Sequence, residues 1–205
     1  MRVRGGLVVG VCVVVLVGCG VQKAEPAGLT ASPTVAATAS PAPSPTPDEA
    51  TATDLSDPEL GIVFVDTPNL TGPAASAHDA VAIFRVEYWR SRTTGEVSPA
   101  LVPFVSPDLL RKVESGVKRN NEDGFGFDGT MQVAISDVVV DGASATASTC
   151  TDYSDVLFTA LDGSAPQSFA EIGFPQYERS TVQLSTVDGG LTWRPEDATF
   201  EGNSC

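Results

Sequence analysis

The chain is short of positive charge and almost without histidine: 12 Lys and Arg stand against 26 Asp and Glu, with one histidine, His78. A net charge of −14 repels polyphosphate. It argues against nucleic-acid binding and against electrostatic adsorption to an anionic membrane, because both need clustered Lys and Arg. A lone histidine with no paired Cys or His ligands leaves no donor set for zinc and no base for most nucleophilic triads. Neither a G-x-S-x-G elbow nor an H-E-x-x-H motif occurs. His78 falls beside a helix cap, where an exposed ring is expected. The longest apolar run, Gly5 to Gly18, is short of the roughly 20 residues that cross a bilayer core. Residues 20–57 hold no aromatic side chain, so that stretch cannot bury enough apolar surface to fold.

What is present at the N-terminus fixes an address. Arg2 and Arg4 precede the apolar run, which stops at Cys19, and that order of charge, apolar core and small residue is what the secretion machinery reads. The two arginines are not adjacent, so the general secretory route is expected rather than the twin-arginine one. Leu16-Val17-Gly18-Cys19 resembles the lipobox of bacterial lipoproteins. The resemblance implies that residues 1–18 are a signal peptide and that Cys19 becomes the first mature residue. It further implies acylation of Cys19, palmitate included, which anchors the chain in the cell membrane on its extracytoplasmic side. Loss of Arg2 and Arg4 takes the net charge from −14 to −16. The membrane contact is then the lipid. Of the four cysteines, Cys12 leaves with the signal and Cys19 is spent on the anchor. Cys150 and Cys205 remain, and in an oxidising compartment they are expected to form one disulfide. Closing a loop of about 55 residues restricts the unfolded chain by about 4 kcal/mol in the chain-entropy view.

Residues 19–57 are rich in Ala, Ser, Thr and Pro, including Pro26, Pro33, Pro41, Pro43, Pro45 and Pro47, and read as a disordered tether ending in a solvated acidic collar. The folded part is expected over residues 58–205. Gly61 to Val65 has the character of an edge strand. Ser76 to Arg92 carries the clearest helical period, with Ser76 as the cap and Ala77, Val81, Phe84 and Tyr88 on one face. A second helix starts at Ser106-Pro107-Asp108 and runs into the polar stretch from Lys118 to Asp123. The pattern then alternates. Met131, Val133 and Ile135 share a face, Val138 to Val140 follow a possible bulge, and Asp141-Gly142 is a hairpin turn. Further strands are expected from Ala143 to Cys150, Val156 to Leu161, Ser180 to Val187 and Leu191 to Arg194. Helices followed by strands give an α+β plan, helices on one face of a mainly antiparallel sheet.

Gly124-Phe-Gly-Phe-Asp-Gly129 spells G-x-G-x-x-G, but it follows a helix and opens a strand, the reverse of a dinucleotide loop. A flexible turn is expected there. Gly124 at the sixth position of an EF-hand loop would put Arg119 at the first, where a carboxylate is needed, so calcium is not expected either. No cofactor and no metal are implied.

The helix with an aromatic end, the second helix, the glycine segment, Ala-x-Ala-x-x-Cys-x-Asp at 145–152, Gly-x-x-Trp at 190–193 and the terminal cysteine together resemble the NTF2-like domains of lipoproteins from high-GC Gram-positive bacteria. The resemblance covers about residues 72–205. It implies a cone whose curved, mainly antiparallel sheet wraps N-terminal helices around a pocket, with residues 164–175 as an insertion. Phe84, Tyr88, Phe125 and Phe127 are the candidates to line that pocket. The function it implies is non-catalytic: a lipid-anchored envelope module that binds a small ligand or an envelope protein. The alternative is an isomerase or dehydratase working through a pocket acid, for which Glu87 and Asp152 are the candidates.

Overall fold

Phe84, which no solvent reaches, sits midway along α1 (Gly72–Thr94), the helix against which the sheet closes. The computed structural model describes residues 51–160, 163–202 and 205. The signal peptide, Cys19 and the tether up to residue 50 lie outside the described residues. Among those described, no helix is long and apolar enough to cross a membrane.

The element order is β1 (Ile62–Val65), α1, α2 (Leu101–Phe104), α3 (Pro107–Asp123), β2 (Phe125–Asp141), β3 (Ser144–Ala160), β4 (Gln167–Ser168), β5 (Tyr177–Thr186) and β6 (Trp193–Gly202). The strands form one sheet in the order β1-β2-β3-β5-β6, with β4 added beside the far end of β3. Among the described residues only β1 pairs in parallel, Ile62 opposite Met131, and it lies at the sheet edge as its sequence suggested. The architecture is therefore α+β, helices packed on a mainly antiparallel open sheet. Ile62, Met131, Val133, Ile135, Ala145, Ala147, Val182 and Leu184 meet Val81, Phe84, Leu109 and Val113 in one core. Indole donors tie the layers together: Trp89 Nε1 donates to Leu60 O at 3.2 Å and Trp193 Nε1 to Pro73 O at 3.1 Å.

Several boundaries differ from the sequence reading. α1 begins four residues before Ser76, because Gly72-Pro73 opens the helix, with proline in its first turn where its missing N–H costs nothing. Ser76 does not cap; its hydroxyl donates back to Gly72 O. His78 shares a buried stripe of α1 with Ala82, Arg85 and Trp89, so the expected exposed histidine is buried at 2% exposure, its Nδ1 3.0 Å from Asp79 Oδ1. α2 was not foreseen. The Ser106 cap was: its Oγ accepts from Leu109 N at 3.1 Å, and Gly124 ends α3 in the left-handed conformation.

The expected turn at 124–129 is instead the first third of β2, paired with β3 from Phe125 opposite Ala160 to Gly129 opposite Val156. The strand expected from Val156 is likewise the continuation of β3. Asp141-Gly142 does form the hairpin turn, and a register shift lies between Ser136 and Val139, with Asp137 at φ 51°. The final strand starts at Trp193, where Leu191 was expected. The strand expected from Ser180 to Val187 is β5, which begins three residues earlier.

Residues 51–57, read from composition as the end of the tether, run against the domain. Thr53 N donates to Asp79 Oδ1 at 2.8 Å, Phe64 N to Ser56 Oγ at 2.8 Å, and Asp57 pairs with Arg90 at 3.2 Å. The acids expected as a solvated collar thus include turn-forming groups. Asp54 accepts from the Ser56 hydroxyl and amide, which hold its carboxyl below the usual range.

Cys150 and Cys205 are joined, with Cα atoms 5.9 Å apart. The route differs from the sequence expectation, in which the segment after Trp193 returns alongside the strand that ends near Asp152. Cys150 pairs with Arg179 of β5, and Arg179 with Glu201 of β6, so β5 stands between the two strands. The tail does not lie alongside β3; Cys205 comes back across β5 to reach it. Alternation along β3 buries Ala147, Thr149 and Thr151 toward the helices and puts Cys150 with Ser148 and Asp152 on the opposite face.

Candidate functional site

Two adjacent features of the long β2–β3 hairpin create the site. Between Thr130/Asp155 and Gln132/Asp152 the register shifts, with one extra residue on β3. Such a bulge changes which face the following side chains take. Tyr153 and Phe158, five apart and so on opposite faces of a regular strand, are both buried. Gly129 allows the strands to close up at this point: a Cβ there would lie 2.1 Å from Asp155 O.

Beyond the bulge, β2 and β3 carry Phe125, Phe127 and Phe158, with the ring centroids of Phe158 5.4 Å from Phe125 and 5.0 Å from Phe127. Residues 164–175, the insertion of unassigned role, supply the next wall. The turn after β4 is fastened by Ser168 N donating to Glu171 Oε2 at 2.7 Å. It lays Phe169 flat on Tyr153, centroids 4.6 Å apart at 4°, and 4.5 Å from Phe158. Phe174 packs behind, 5.6 Å from Phe158.

α1 and α3 complete the enclosure. Tyr88, Trp89 and Arg92 fall within one turn of α1, while Gly116, Arg119, Asn120 and Asp123 follow at helical spacing on one face of α3. Gly116 contributes no side chain, which leaves room. The result is a cavity of about 270 Å³, further lined by Phe125, Tyr153, Phe158, Phe169, Phe174, Pro175 and Glu178. A dry cavity of about 150 Å³ already admits a benzene ring, so this one has room for a larger molecule. Seven of the chain's 14 aromatic residues line it, a concentration that a solvent channel would not need.

The polar groups of the wall are unevenly matched. Glu178 Oε1 accepts from the Tyr153 hydroxyl at 3.1 Å. Burial pushes the Tyr153 phenol well above its usual range, opposed by the nearby Arg85 guanidinium. Arg92 Nη1 donates to Tyr88 Oη at 3.0 Å, and its guanidinium lies 5.3 Å from the Phe127 ring centre. Arg92 Nε and Asn120 Nδ2 are buried without a hydrogen-bond partner.

Behind Tyr88, Arg85 is fully buried, with Nη2 donating to Thr151 Oγ1 at 2.7 Å and Nε and Nη1 unpartnered. Burial opposes its charge, but Tyr153, Glu178 and Tyr88 outweigh it, and its pKa is raised. It remains a cation inside the core.

Of the four pocket candidates, Tyr88 and Phe125 line the cavity. Phe84 is in the core beneath Tyr88, centroids 5.9 Å apart, and Phe127 stands one ring back against Trp89 and Phe158. The candidate acids are elsewhere. Glu87 faces the other side of α1, taking a hydrogen bond from Arg90 Nε at 3.2 Å and a short one from the Ser98 hydroxyl. Asp152 is on the helix-free face of the sheet and accepts from Ser154 N at 2.8 Å. Sequence reading missed Arg85, Arg92, Trp89 and Glu178. Arg92, four residues beyond Tyr88 on the same helix face, was open to the same periodic argument; Phe169 and Phe174, in an irregular segment, offered no such signal. Among the described residues no three His, Cys, Asp or Glu side chains gather as a metal site.

No protein-family model and no curated protein matches the sequence. Among solved structures, the crystal structure of the intermembrane space region of the chloroplast protein ARC6 is similar, with a TM-score of 0.46 and 10% identity. The match covers 66% of this chain and 100% of that one. The likeness is too slight to assign a family or a function.

Proposed function

We propose that the chain is a lipid-anchored protein of the bacterial cell envelope, held through Cys19 with its domain outside the membrane, and that an NTF2-like cone serves as a non-catalytic module binding a small ligand. The observation that carries the binding reading is the aromatic cavity with buried donors left unpartnered. An unmatched buried donor costs about 1–3 kcal/mol, a cost that a ligand acceptor removes. The isomerase or dehydratase alternative rested on Glu87 or Asp152 reaching the pocket, and both are engaged outside it. The anchor rests on the leader and the Leu16-Val17-Gly18-Cys19 sequence.

Two measurements address the two halves. Cys19→Ala is expected to release the chain from the membrane fraction or leave it unprocessed; a mutant still anchored and cleaved at the same place contradicts the lipoprotein reading. Gly116→Leu fills the cavity from α3, where an added Cβ meets only Arg92 Nη1, at 3.6 Å. Organic extracts of chain purified from envelopes should yield a small molecule with the wild type and none with this variant. Identical extracts would remove the binding reading.

A further inference from the structure

In a chain where acids outnumber bases more than two to one, an arginine without a carboxylate partner is unexpected. Arg90, Arg111, Lys112, Lys118 and Arg194 each form an ion pair. Among the described residues Arg85, Arg92 and Arg119 form none, and all three belong to one place. Arg92 and Arg119 line the cavity, and Arg85 lies behind its Tyr88 wall, its guanidinium 5.7 Å from that ring centre. Their donors are also unspent. Arg92 Nε and Asn120 Nδ2 have no partner, and neither have two of the three Arg85 nitrogens.

We propose, building on the small-ligand reading above, that the cavity takes a compact aromatic monocarboxylate. Its carboxylate would accept from Arg92, with Asn120 and Arg119 beside it, and its ring would enter among Trp89, Phe158 and Phe169. The planar guanidinium matches a carboxylate with two parallel N–H···O bonds, and its hydrogen bond to Tyr88 Oη already fixes its plane. Arg85 adds positive potential through a low-dielectric wall. Two acids set the limit on ligand charge. Asp123 and Glu178 stand in the same lining, so Arg92 and Arg119 are balanced there and the surplus is the single charge of Arg85. One negative charge satisfies that surplus; a phosphate dianion or a dicarboxylate would meet Asp123 and Glu178. The aromatic wall excludes small hydrophilic acids by leaving their polar groups unmatched.

The test is titration of the full chain, followed by the fluorescence of Trp89 with a Trp193→Phe background. The probes are three compounds of one shape: 2-naphthoate, neutral 2-naphthalenemethanol and cationic 2-naphthylmethylammonium. The expected result is saturable one-to-one binding of 2-naphthoate, about tenfold or more tighter than the alcohol, consistent with a charge-assisted hydrogen bond, and no detectable binding of the ammonium. Arg92→Gln should bring the naphthoate-to-alcohol ratio close to one. Arg119→Gln, at an exposed position where folding is not at stake, should lower the ratio by a smaller factor and weaken the salt dependence. Equal or tighter binding of the alcohol or the ammonium would overturn the carboxylate assignment while leaving a ligand cavity. Failure of all three to bind would overturn both.

Discussion

Asp188 fastens the turn between β5 and β6, accepting from the Thr186 hydroxyl and from Thr192 N. Hydrogen bonds from Thr192 and then Thr186 hold its carboxyl down at about 2, against an ordinary 3.8. A carboxylate lowered on folding adds stability that is complete above its unfolded value and is lost as pH falls through the folded one. Asp188→Asn should therefore lower the melting temperature at pH 7, with the gap to wild type closing between about pH 4 and pH 2. Thermal unfolding by circular dichroism at both ends of that window decides it, and an unchanged gap at pH 2 would show that the charge does not hold the turn. At this scale the sequence was readable where one residue type has one local use. Ser106-Pro107-Asp108 announced the start of α3, and Ser106 also donates to Glu196 O at 2.7 Å. It was unreadable where burial depends on which helix face is covered: His78, expected to be exposed, shares a buried stripe of α1 with Ala82, Arg85 and Trp89.

The long hairpin of β2 and β3 shows why elements were only half legible. From Met131 to Ile135 and again from Ala145 to Cys150 the alternation is regular, and the sequence reading and the structure agree. Beyond the bulge the parity of buried positions changes, so a period-two pattern read through it fails, and glycines that weaken a strand imitate a loop. Gly129 and Gly124 have similar backbones, φ 93° and 72°, but different surroundings. A Cβ at Gly129 would sit 2.1 Å from Asp155 O, whereas one at Gly124 would meet nothing within 4 Å. Gly124→Ala should cost about 1–2 kcal/mol, the penalty of the left-handed conformation alone. Gly129→Ala must also separate β2 from β3, so its cost should exceed that of Gly124→Ala by about 2 kcal/mol or more, in the upper range for point mutants. Urea unfolding of both variants makes the comparison. Equal losses would mean that the strands do not need to approach so closely. The same separation would move Phe125 of β2 away from Phe158 of β3, whose ring centroids are 5.4 Å apart in the cavity wall, so Gly129→Ala should weaken ligand uptake as well.

For the whole molecule, the cysteine count pointed to Cys150 paired with Cys205, which the structure joins, while the strand between them was missed because sequence alone does not order strands. Reduction should cost about 2–5 kcal/mol, and thiol titration of the native, unreduced chain should find Cys150 and Cys205 unreactive. Two reactive thiols there would contradict the bridge across β5. The helix-over-sheet plan was legible because the period changes from helical to alternating near Phe125. The cavity was not, since its walls come from six separated segments and its aromatic surplus is visible only once they are assembled. That cavity is the account's central claim, and one isotherm pair tests it: 2-naphthoate titrated into wild type and into Gly116→Leu, read by Trp89 fluorescence. Wild type should saturate at one site. Gly116→Leu should show no saturable change while melting at the same or a higher temperature, since replacing an interior helix glycine adds up to about 1 kcal/mol. Equal saturation by both proteins, or no saturation by either, would contradict the claim that the space beside Gly116 is a binding site.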